Sequence, residues 1–361
     1  MTLRPDPKEL AARARADLRM GVPVVLGQGG KAALVAAAET LSPARLAHLR
    51  TLGAPVLAIT PRRAETLKAR AYSDHVARIT VPDEADTAWI HGVADPADDL
   101  MMPLKGPFAT IRGGDEHIPR AATRLAKAAH LLPAAIVVEV ADGPGTAAAH
   151  GLTWLDLTGA DGVWDRSTLA EVSAARVPLE VSRAGRLHVY RPVDGGEEHY
   201  AIEIGRPDRA KPVLARLHSA CFTGDVLGSL KCDCGPQLHA ALEAMAAEGA
   251  GVLLYLNQEG RGIGLANKMR AYSLQDQGFD TVEANHRLGF EDDERDFRTG
   301  AEILKTLGFS AVRLMTNNPR KVEMMKSTGL EVAERVPLKV GETEHNRDYL
   351  ATKAAKSGHL L

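Results

Sequence analysis

The chain has 361 residues, enough for two domains, and its 45% hydrophobic and 25% charged residues are ordinary for a globular protein that buries a sizeable core. Its 44 basic and 46 acidic residues nearly cancel, which argues against nucleic acid as a main partner but allows a local basic pocket for a phosphorylated small molecule. We expect neither secretion nor a membrane span, and therefore a cytoplasmic location, because no apolar signal core begins the sequence and no apolar run approaches about 18 residues.

The first half, residues 1 to about 175, alternates segments typical of helices with segments typical of strands, which indicates mixed α/β architecture. The pattern predicts helices over 8–20, 31–41, 43–52 and 120–131, and strands over 22–26, 55–60 and 134–140. In this scheme Gly29 and Gly30 open the second helix, as a phosphate-binding turn or a plain one. Asp115, Glu116 and His117 are either a metal triplet or a solvated turn.

Two stretches of this half, VPVVL…ALVAAAET and RAATRLAKAAHLLPAAIVVEV, resemble the 3,4-dihydroxy-2-butanone 4-phosphate synthase family. That family holds magnesium with an acidic cluster and a histidine, which are the hard ligands this ion prefers. Here the acidic positions fall on the glycines, lysine and alanines of 29–33, and the histidine position falls on Ile118, whereas Glu139 is retained. The resemblance therefore implies that residues 1–175 are a degenerate synthase-like domain without that activity.

The second half, residues 176–361, begins with a predicted pair of strands within 177–192. Further strands are predicted over 200–204, 212–217, 251–256 and 311–315, and helices over 236–247, 265–277, 297–307 and the polar tail 345–361. Strands that alternate with helices again indicate α/β architecture.

All three cysteines of the chain lie close together in this half, at Cys221, Cys232 and Cys234. The single residue between the last two makes a tight chelating pair, and three thiolates suit zinc with a fourth position open to water. His218 could instead occupy that position and make the site structural. A disulfide plus one free thiol is the remaining interpretation.

Charged residues also gather in loops that follow predicted strands. The loop QEGRGIGL, residues 258–265, has glycines that let backbone amides approach an anion. Asn318 and Pro319 are predicted as the N-cap and first residue of a helix, which puts Lys321 in its first turn. A cation there is unfavourable unless an anion binds nearby, so these loops predict phosphate recognition.

Four motifs lie in order: HSACFTGDVLGSLKCDCG, QEGRGIGLANKMRAYSLQDQG, DTVEANHRLGFEDDERDF and RLMTNNPRKVE. Together they resemble the GTP cyclohydrolase II family, from about Val177 to the C-terminus, and the order of the two halves is similar to bifunctional bacterial riboflavin enzymes. The resemblance implies a mixed α+β fold in two domains, the second with a mixed sheet. It also implies zinc-dependent opening of the guanine imidazole ring of GTP with release of formate and pyrophosphate, Mg²⁺ on the triphosphate, one zinc per subunit and a homodimer.

The same resemblance assigns residue roles, with zinc held by the three cysteines. Asp293 becomes the general base, Tyr272 lies near the guanine ring, and Arg295 acts at the α-phosphate. We expect Arg295 to stabilise charge there rather than to attack, because guanidinium stays protonated below about pH 12. Substrate contacts carry over to Arg216, Ser219, Gln237, Glu259, Gly260, Arg261, Thr281, Thr316 and Lys321.

Ala220 departs from the family, which usually reads His-Ser-Glu-Cys where this chain has His-Ser-Ala-Cys. The lost carboxylate adjoins a zinc ligand and could weaken GTP binding, retune base preference or do little. Two alternatives stay open. Ala220 and the lost synthase site favour a homologue that acts on a different nucleotide, and the degenerate first half favours a non-catalytic, zinc-stabilised regulatory subunit with His218 as fourth ligand.

Overall fold

A computed structural model of the chain describes residues 3–164, 167–344, 346–347, 358 and 360. The described residues separate into two compact units, one drawn from Met1–Arg166 with Ala266–Asp293 and the other from Ser167–Leu265 with Glu294–Leu361. Each unit is built on one β-sheet with helices. The predicted mixed α/β fold in two parts is confirmed.

The first unit contains a six-stranded sheet in the order β4-β3-β5-β2-β1-β6. Its strands are β1 (Val24–Gln28), β2 (Lys31–Ala37), β3 (Val56–Ile59), β4 (Ala77–Thr80), β5 (Ala134–Val140) and β6 (Trp154–Asp156). Its helices up to position 166 are α1 (Pro7–Arg19), α2 (Pro43–Leu52), α3 (Pro61–Thr66), α4 (Thr87–Ala94), α5 (His117–Ala128) and α6 (Gly143–His150), followed by a 3-10 turn (Asp161–Trp164).

The helix predicted over 31–41 is wrong, because residues 31–37 form strand β2. Gly29 and Gly30 have φ angles of +58° and +79° and form the two-residue turn of a β1–β2 hairpin, in which Gln28 pairs with Lys31. Two successive positive φ angles match the right-handed twist of a hairpin and favour glycine. The alanines of β2 suit a helix by propensity, but burial between sheet neighbours decides their conformation.

Residues 266–293 belong to the first unit although they follow a long stretch of the second. They include most of α9 (Leu265–Asp276) and all of α10 (Thr281–Arg287). The predicted division after residue 175 differs from this arrangement in two respects: the chain changes unit at residue 166, and it returns once. A local pattern carries no sign of such a return, because it depends on contacts distant in sequence.

The second unit contains a seven-stranded sheet in the order β13-β12-β10-β11-β9-β8-β7. Its strands are β7 (Leu169–Arg176), β8 (Gly185–Pro192), β9 (His199–Gly205), β10 (Val213–Ser219), β11 (Ala250–Leu256), β12 (Ala311–Met315) and β13 (Glu331–Val336). Its helices are α7 (Cys234–Glu248), the short α8 (Glu259–Gly262), α11 (Arg298–Thr306) and α12 (Pro319–Ser327), with a π-helical turn at Phe222–Val226.

The hairpin predicted within 177–192 begins earlier than expected. Strand β7 ends at Arg176, and Leu179 and Ser182 exchange backbone hydrogen bonds of 2.8 and 3.2 Å in the connection to β8. Only β8 lies in the predicted range. The β7 strand was missed because its side chains are mostly exposed and give no alternating apolar pattern.

Helices cover both faces of the second sheet. Ala241 and Met245 of α7 pack against one face, and Ile303 of α11 and Met325 of α12 pack against the other. Strands β10, β11 and β12 are mutually parallel, so their carboxyl ends meet at one edge. In sheets of this kind, that edge is where ligands bind.

The predicted tail helix, 345–361, lies almost entirely outside the described residues. Among the described helices, none combines the length and the apolar character that crossing a membrane requires.

Candidate metal centre and active site

The carboxyl ends of three parallel strands bring the predicted motifs of the second unit to one edge of its sheet. Ser219 ends β10, Leu256 ends β11 in register with it, and Met315 ends β12. The cysteine stretch follows β10, the glycine loop follows β11, and Thr316 follows β12. The sheet therefore gathers segments that lie far apart in sequence.

The three cysteines converge at this edge. Their Sγ atoms all lie within 4.8 Å of one another, and those of Cys221 and Cys232 are 3.7 Å apart. That distance is far beyond the roughly 2.05 Å of a disulfide bond, and none of the three cysteines forms a disulfide. Tetrahedral zinc, with Zn–S bonds of about 2.3 Å, places its sulfur ligands roughly 3.8 Å apart. The cluster therefore fits zinc.

Hydrogen bonding among the thiols raises the pKa of two of them, Cys232 and Cys234. A hydrogen bond with Cys221 raises the pKa of Cys232, and hydrogen bonds with Cys221 and Cys232 raise the pKa of Cys234 well above its ordinary value. Three neighbouring thiolates are unfavourable unless a cation compensates their charge. A bound divalent metal meets that condition.

Gly224 packs directly against the sulfur atoms of the thiol cluster. It lies in the π-helical turn that follows Cys221, and a Cβ at this position would be 2.7 Å from Sγ of Cys232 and 3.1 Å from Sγ of Cys221. The absence of a side chain is thus what allows the sulfurs to converge. Motif order alone gave no reason to single out this glycine.

Asp225 joins Cys221 of the thiol cluster to the sheet, although it is not among the residues predicted for the site. Its carboxylate accepts the backbone N–H of Cys221 at 2.9 Å and the hydroxyl of Tyr255 at 2.9 Å. Both of its oxygens also lie 3.0 Å from Nε2 of His218. The sequence signal that could have identified Asp225 is its place four residues after Cys221, a predicted zinc ligand, in the first of the four motifs.

His218 is not part of the metal cluster. It is 3% exposed, stacks on Tyr255 and directs Nε2 at the Asp225 carboxylate. Burial lowers the pKa of His218, although Asp225 opposes this effect, and the facing carboxylate, which can only accept, requires a proton on Nε2. Its Nδ1 has no hydrogen-bond partner among the described residues. The closed site with His218 as fourth ligand is therefore not the arrangement found.

Three cations form the basic part of this edge. Arg295 and Lys321 lie 4.9 and 4.3 Å from the ring centre of Phe297, and Arg295 Nη1 is 3.4 Å from Oγ of Ser219. Arg216 is buried, which lowers its pKa to about 10, a value that still leaves it charged at neutral pH. Its Nε has no hydrogen-bond partner among the described residues. Three buried or half-buried cations at one edge can bind the negative charge of a phosphorylated ligand.

Two predicted substrate contacts bind other parts of the protein in this structure. Gln237 accepts a hydrogen bond from Arg216 and donates one to Asp233. Thr316 is 2% exposed, and its hydroxyl accepts the backbone N–H of Asn318 at 3.0 Å. Both residues therefore hold the basic edge in place, and direct contact with substrate stays a prediction.

The glycine loop adopts a left-handed backbone and reaches the cysteine stretch. Gly260 and Arg261 have φ angles of +63° and +64°, a region that costs a non-glycine residue roughly 1–2 kcal/mol. Glu259 accepts the backbone N–H of Phe222 at 2.6 Å, next to Cys221. The carbonyl of Arg261 accepts N–H of Glu294. Loop strain at this edge is consistent with a functional site.

Three predicted site residues lie on the segment that belongs to the first unit. Tyr272 is half-buried on α9, and Lys268 lies 5.7 Å from its ring centre. Thr281 begins α10 and accepts a hydrogen bond from Gln275, whereas Asp293 is exposed in the following loop.

Comparison with known proteins agrees with the motifs. Residues 170–337 match the sequence model of GTP cyclohydrolase II. A GTP cyclohydrolase-2 of Azospirillum brasilense is 47% identical over 97% of this chain and 93% of its own length. A GTP cyclohydrolase-2 of Azotobacter vinelandii is 57% identical over 53% of this chain and 91% of its own length. A solved two-domain 3,4-dihydroxy-2-butanone 4-phosphate synthase, RibBX from A. baumannii, covers 93% of this chain and 100% of its own, at 18% identity and a TM-score of 0.32. The extent of the Azospirillum match, almost end to end, places this chain in the GTP cyclohydrolase II family.

Proposed function

We propose that this protein is a zinc-dependent GTP cyclohydrolase II. It opens the guanine imidazole ring of GTP by hydrolysis and releases formate and pyrophosphate, which leaves 2,5-diamino-6-(5-phosphoribosylamino)pyrimidin-4-one for riboflavin biosynthesis. The observation that carries this proposal is the cluster of three cysteine thiols beside three cations at one sheet edge, in a chain of this family.

Cys221, Cys232 and Cys234 would hold the zinc. When bound there, zinc would supply Lewis-acid chemistry for hydrolysis at carbon 8 of the guanine. Asp225 fixes the backbone at Cys221, and Gly224 leaves the space in which the three sulfurs converge. These two residues determine whether the thiolates meet at ligand distance.

Arg216, Arg295 and Lys321 would receive the triphosphate, with Mg²⁺ as its accompanying ion. Arg295 already lies beside Ser219 and stays protonated, so its part at the α-phosphate is to stabilise developing charge during pyrophosphate release. Lys321 donates from Nζ to the carbonyl of Leu217, which fixes its side chain at the end of β10.

Tyr272, Thr281 and Asp293 would act on the nucleoside. Asp293 is exposed in the loop after α10, and a carboxylate at this position can take up a proton as general base. Glu259, Gly260, Arg261, Gln237 and Thr316 complete the proposed substrate contacts. A homodimer is part of the proposal through family resemblance alone, and the cytoplasmic location expected from the sequence stays a prediction.

Residues 1–175 are proposed to be a degenerate synthase-like domain. At the hairpin where that family places acids, Lys31 instead pairs with Asp115 at 3.4 Å. Asp115 also accepts the backbone N–H of His117, which favours a turn over a metal triplet. Within the described residues, the three cysteines are the sole cluster with metal-ligand geometry.

The proposal is tested by incubating the purified protein with GTP, Mg²⁺ and Zn²⁺ and measuring formate and pyrophosphate. We expect both products in equal amounts, loss of both after zinc removal, and their return when zinc is restored. A Cys232→Ser variant should stay folded and release neither product. Absence of formate from the zinc-loaded wild type would refute the proposal.

Ala220 favours a second candidate, turnover of a different nucleotide. It stands between Ser219 and Cys221, where the family usually carries a carboxylate, and its backbone N–H is bonded to Leu256. A turnover panel of ATP, ITP, XTP and GTP decides between the two. A higher kcat/KM for GTP than for every other nucleotide excludes this candidate.

A further inference from the structure

Residues 266–293 connect to the second unit through Leu265 and Glu294, yet they pack as part of the first. We call them the returning segment. They carry Tyr272, Thr281 and Asp293, three residues of the proposed chemistry. Residues 1–166 supply none of the proposed site residues. The contacts by which they hold the returning segment are nevertheless relevant to catalysis.

The start of the returning segment is held by polar contacts with three separate loops. Asn267 is fully buried, and its Nδ2 donates to the carbonyl of His130 at 3.0 Å. Arg270 pairs with Glu39 at 3.0 Å and with Asp95 at 3.2 Å, and it also donates to Oδ1 of Asn267 at 2.8 Å. One arginine thus fixes α9 between the loops that follow β2 and α4, two residues before Tyr272.

Glu39 is itself fixed, since its carboxylate accepts the backbone N–H of Leu132 at 2.8 Å. Further along, Gln277 donates to the carbonyl of Ala97 at 3.2 Å. Leu274 is 1% exposed, so the face of α9 between these contacts is packed.

The end of the returning segment meets a buried charge network. Arg287, the last residue of α10, lies 3.4 Å from the carboxylate of Asp99. Asp99 also binds Arg63, which is 1% exposed, and Lys105. Burial by itself would raise the pKa of Asp99, but the two cations outweigh that effect and hold it below its usual value. Removing a cation from this buried carboxylate would therefore destabilise the protein.

The residues after α10 fit closely against the first unit. Gly289 has a φ of +86°, and a Cβ there would lie 2.7 Å from Oγ1 of Thr60 and 2.8 Å from Cγ of Pro133. Phe290 is 1% exposed and lies under Lys127, and Glu291 pairs with Arg62 at 2.9 Å. This tight fit ends two residues before Asp293.

We infer that residues 1–166 serve as a scaffold for the returning segment, and that Arg270 and Arg287 are positioning residues for Tyr272, Thr281 and Asp293. This inference rests on the proposed function for its effect on turnover. The acids expected of a synthase site are absent at 29–33, whereas Glu39, Asp95 and Asp99 bind arginines of the returning segment. This structural use of the first unit does not require synthase chemistry.

The test compares Arg270→Gln with Arg50→Gln in the full-length, zinc-loaded protein. Arg50 is a matched control, because it is also half-buried in the first unit and donates to the carbonyls of Pro82 and Ala85. Hydrogen–deuterium exchange is followed over peptides from 266–293 and from the rest of the chain, and kcat and KM for formate release are measured.

For Arg270→Gln we expect faster exchange within 266–293 and a fall in kcat of about tenfold or more, since small displacements of catalytic groups are costly. Zinc content should not change, and Arg50→Gln should show neither effect. Glu39→Gln should reproduce part of the change, and its combination with Arg270→Gln should be less than additive.

Unchanged exchange of the returning segment in Arg270→Gln would overturn the inference, as would an equal loss of turnover in Arg50→Gln. The exchange measurement separates this outcome from failure of the proposed function. If the wild type releases no formate, the proposed function fails, and the exchange of 266–293 still decides whether the first unit holds this segment.

Discussion

Asp225 is the residue through which Cys221, one of the three proposed zinc ligands, is fixed to the sheet. Its carboxylate accepts hydrogen bonds from the backbone N–H of Cys221, the hydroxyl of Tyr255 and Nε2 of His218. A single side chain therefore sets the positions of Cys221, of the end of β11 and of a buried imidazole. Residues that orient metal ligands without touching the ion often matter almost as much as the ligands.

Replacing this carboxylate should therefore weaken zinc binding. We expect Asp225→Asn to lower zinc affinity by about 10- to 100-fold in a chelator-competition titration, because one amide oxygen cannot accept all three bonds. Tyr255→Phe removes only one of them and should cost less. Equal zinc affinity in Asp225→Asn and wild type would contradict this role.

His199 makes stability sensitive to pH. It is 9% exposed and accepts the backbone N–H of Asn257 at Nδ1, and burial lowers its pKa from 6.5 to about 4. The unfolded chain thus takes up a proton near pH 6.5 that the folded chain does not. The stability contributed by neutral His199 is present above that pH and is lost as pH falls toward 4.

The difference amounts to on the order of 3 kcal/mol. We expect the wild type to lose more free energy of unfolding than His199→Gln between pH 6.5 and 4, measured by urea denaturation at each pH. The glutamine carbonyl can still accept from Asn257, so the comparison isolates the titrating group. Parallel pH profiles would rule out this contribution.

At the scale of elements, the π-helical turn Phe222–Val226 brings Cys221 back toward the other two thiols. The turn works because Gly224 presents no side chain to Sγ of Cys232 or Sγ of Cys221. π-Helical turns are rare and are found disproportionately at functional sites.

Gly224→Ala should therefore separate the sulfurs and reduce both bound zinc and GTP turnover. Zinc per chain is measured by metal analysis, and turnover by formate release. Gly92→Ala is a suitable control, because Gly92 lies within α4 and a Cβ there meets no atom within 4 Å. It should keep its zinc and gain up to about 1 kcal/mol of stability from helix propensity. Full zinc occupancy in Gly224→Ala would contradict the packing argument.

At the scale of the whole molecule, the two units have different proposed roles. The second contains the thiol cluster and the cations, and the first holds the returning segment without a metal-binding acid cluster at its β1–β2 hairpin. The first unit is therefore expected to have a structural use and no synthase chemistry.

Ribulose 5-phosphate should accordingly not be consumed by the full-length protein in the presence of Mg²⁺. The physical reason is that the hairpin offers two glycines and a paired lysine where magnesium needs carboxylate oxygens. Formate release from GTP in the same sample serves as the control that the protein is folded. Disappearance of ribulose 5-phosphate would restore the bifunctional interpretation.

The sequence by itself determined the family, the clustered thiols and many element limits. Helix α2 matches its prediction because Ser42 caps it and Pro43 begins it, and β5 and β12 match because short apolar runs between breakers favour strands. These signals are local, so they can be recognised without knowledge of the fold. The thiol cluster was also predictable, since the chain has no other cysteines.

The tertiary structure alone decided how distant residues meet. Burial in a sheet overrode alanine's helix propensity in β2, and Asp225 became important only when Tyr255 and His218 were brought beside it. The pairing of Arg270 with Glu39 joins positions 231 residues apart. No local pattern encodes such a contact, because residues 167–265, which belong to the other unit, lie between the two positions.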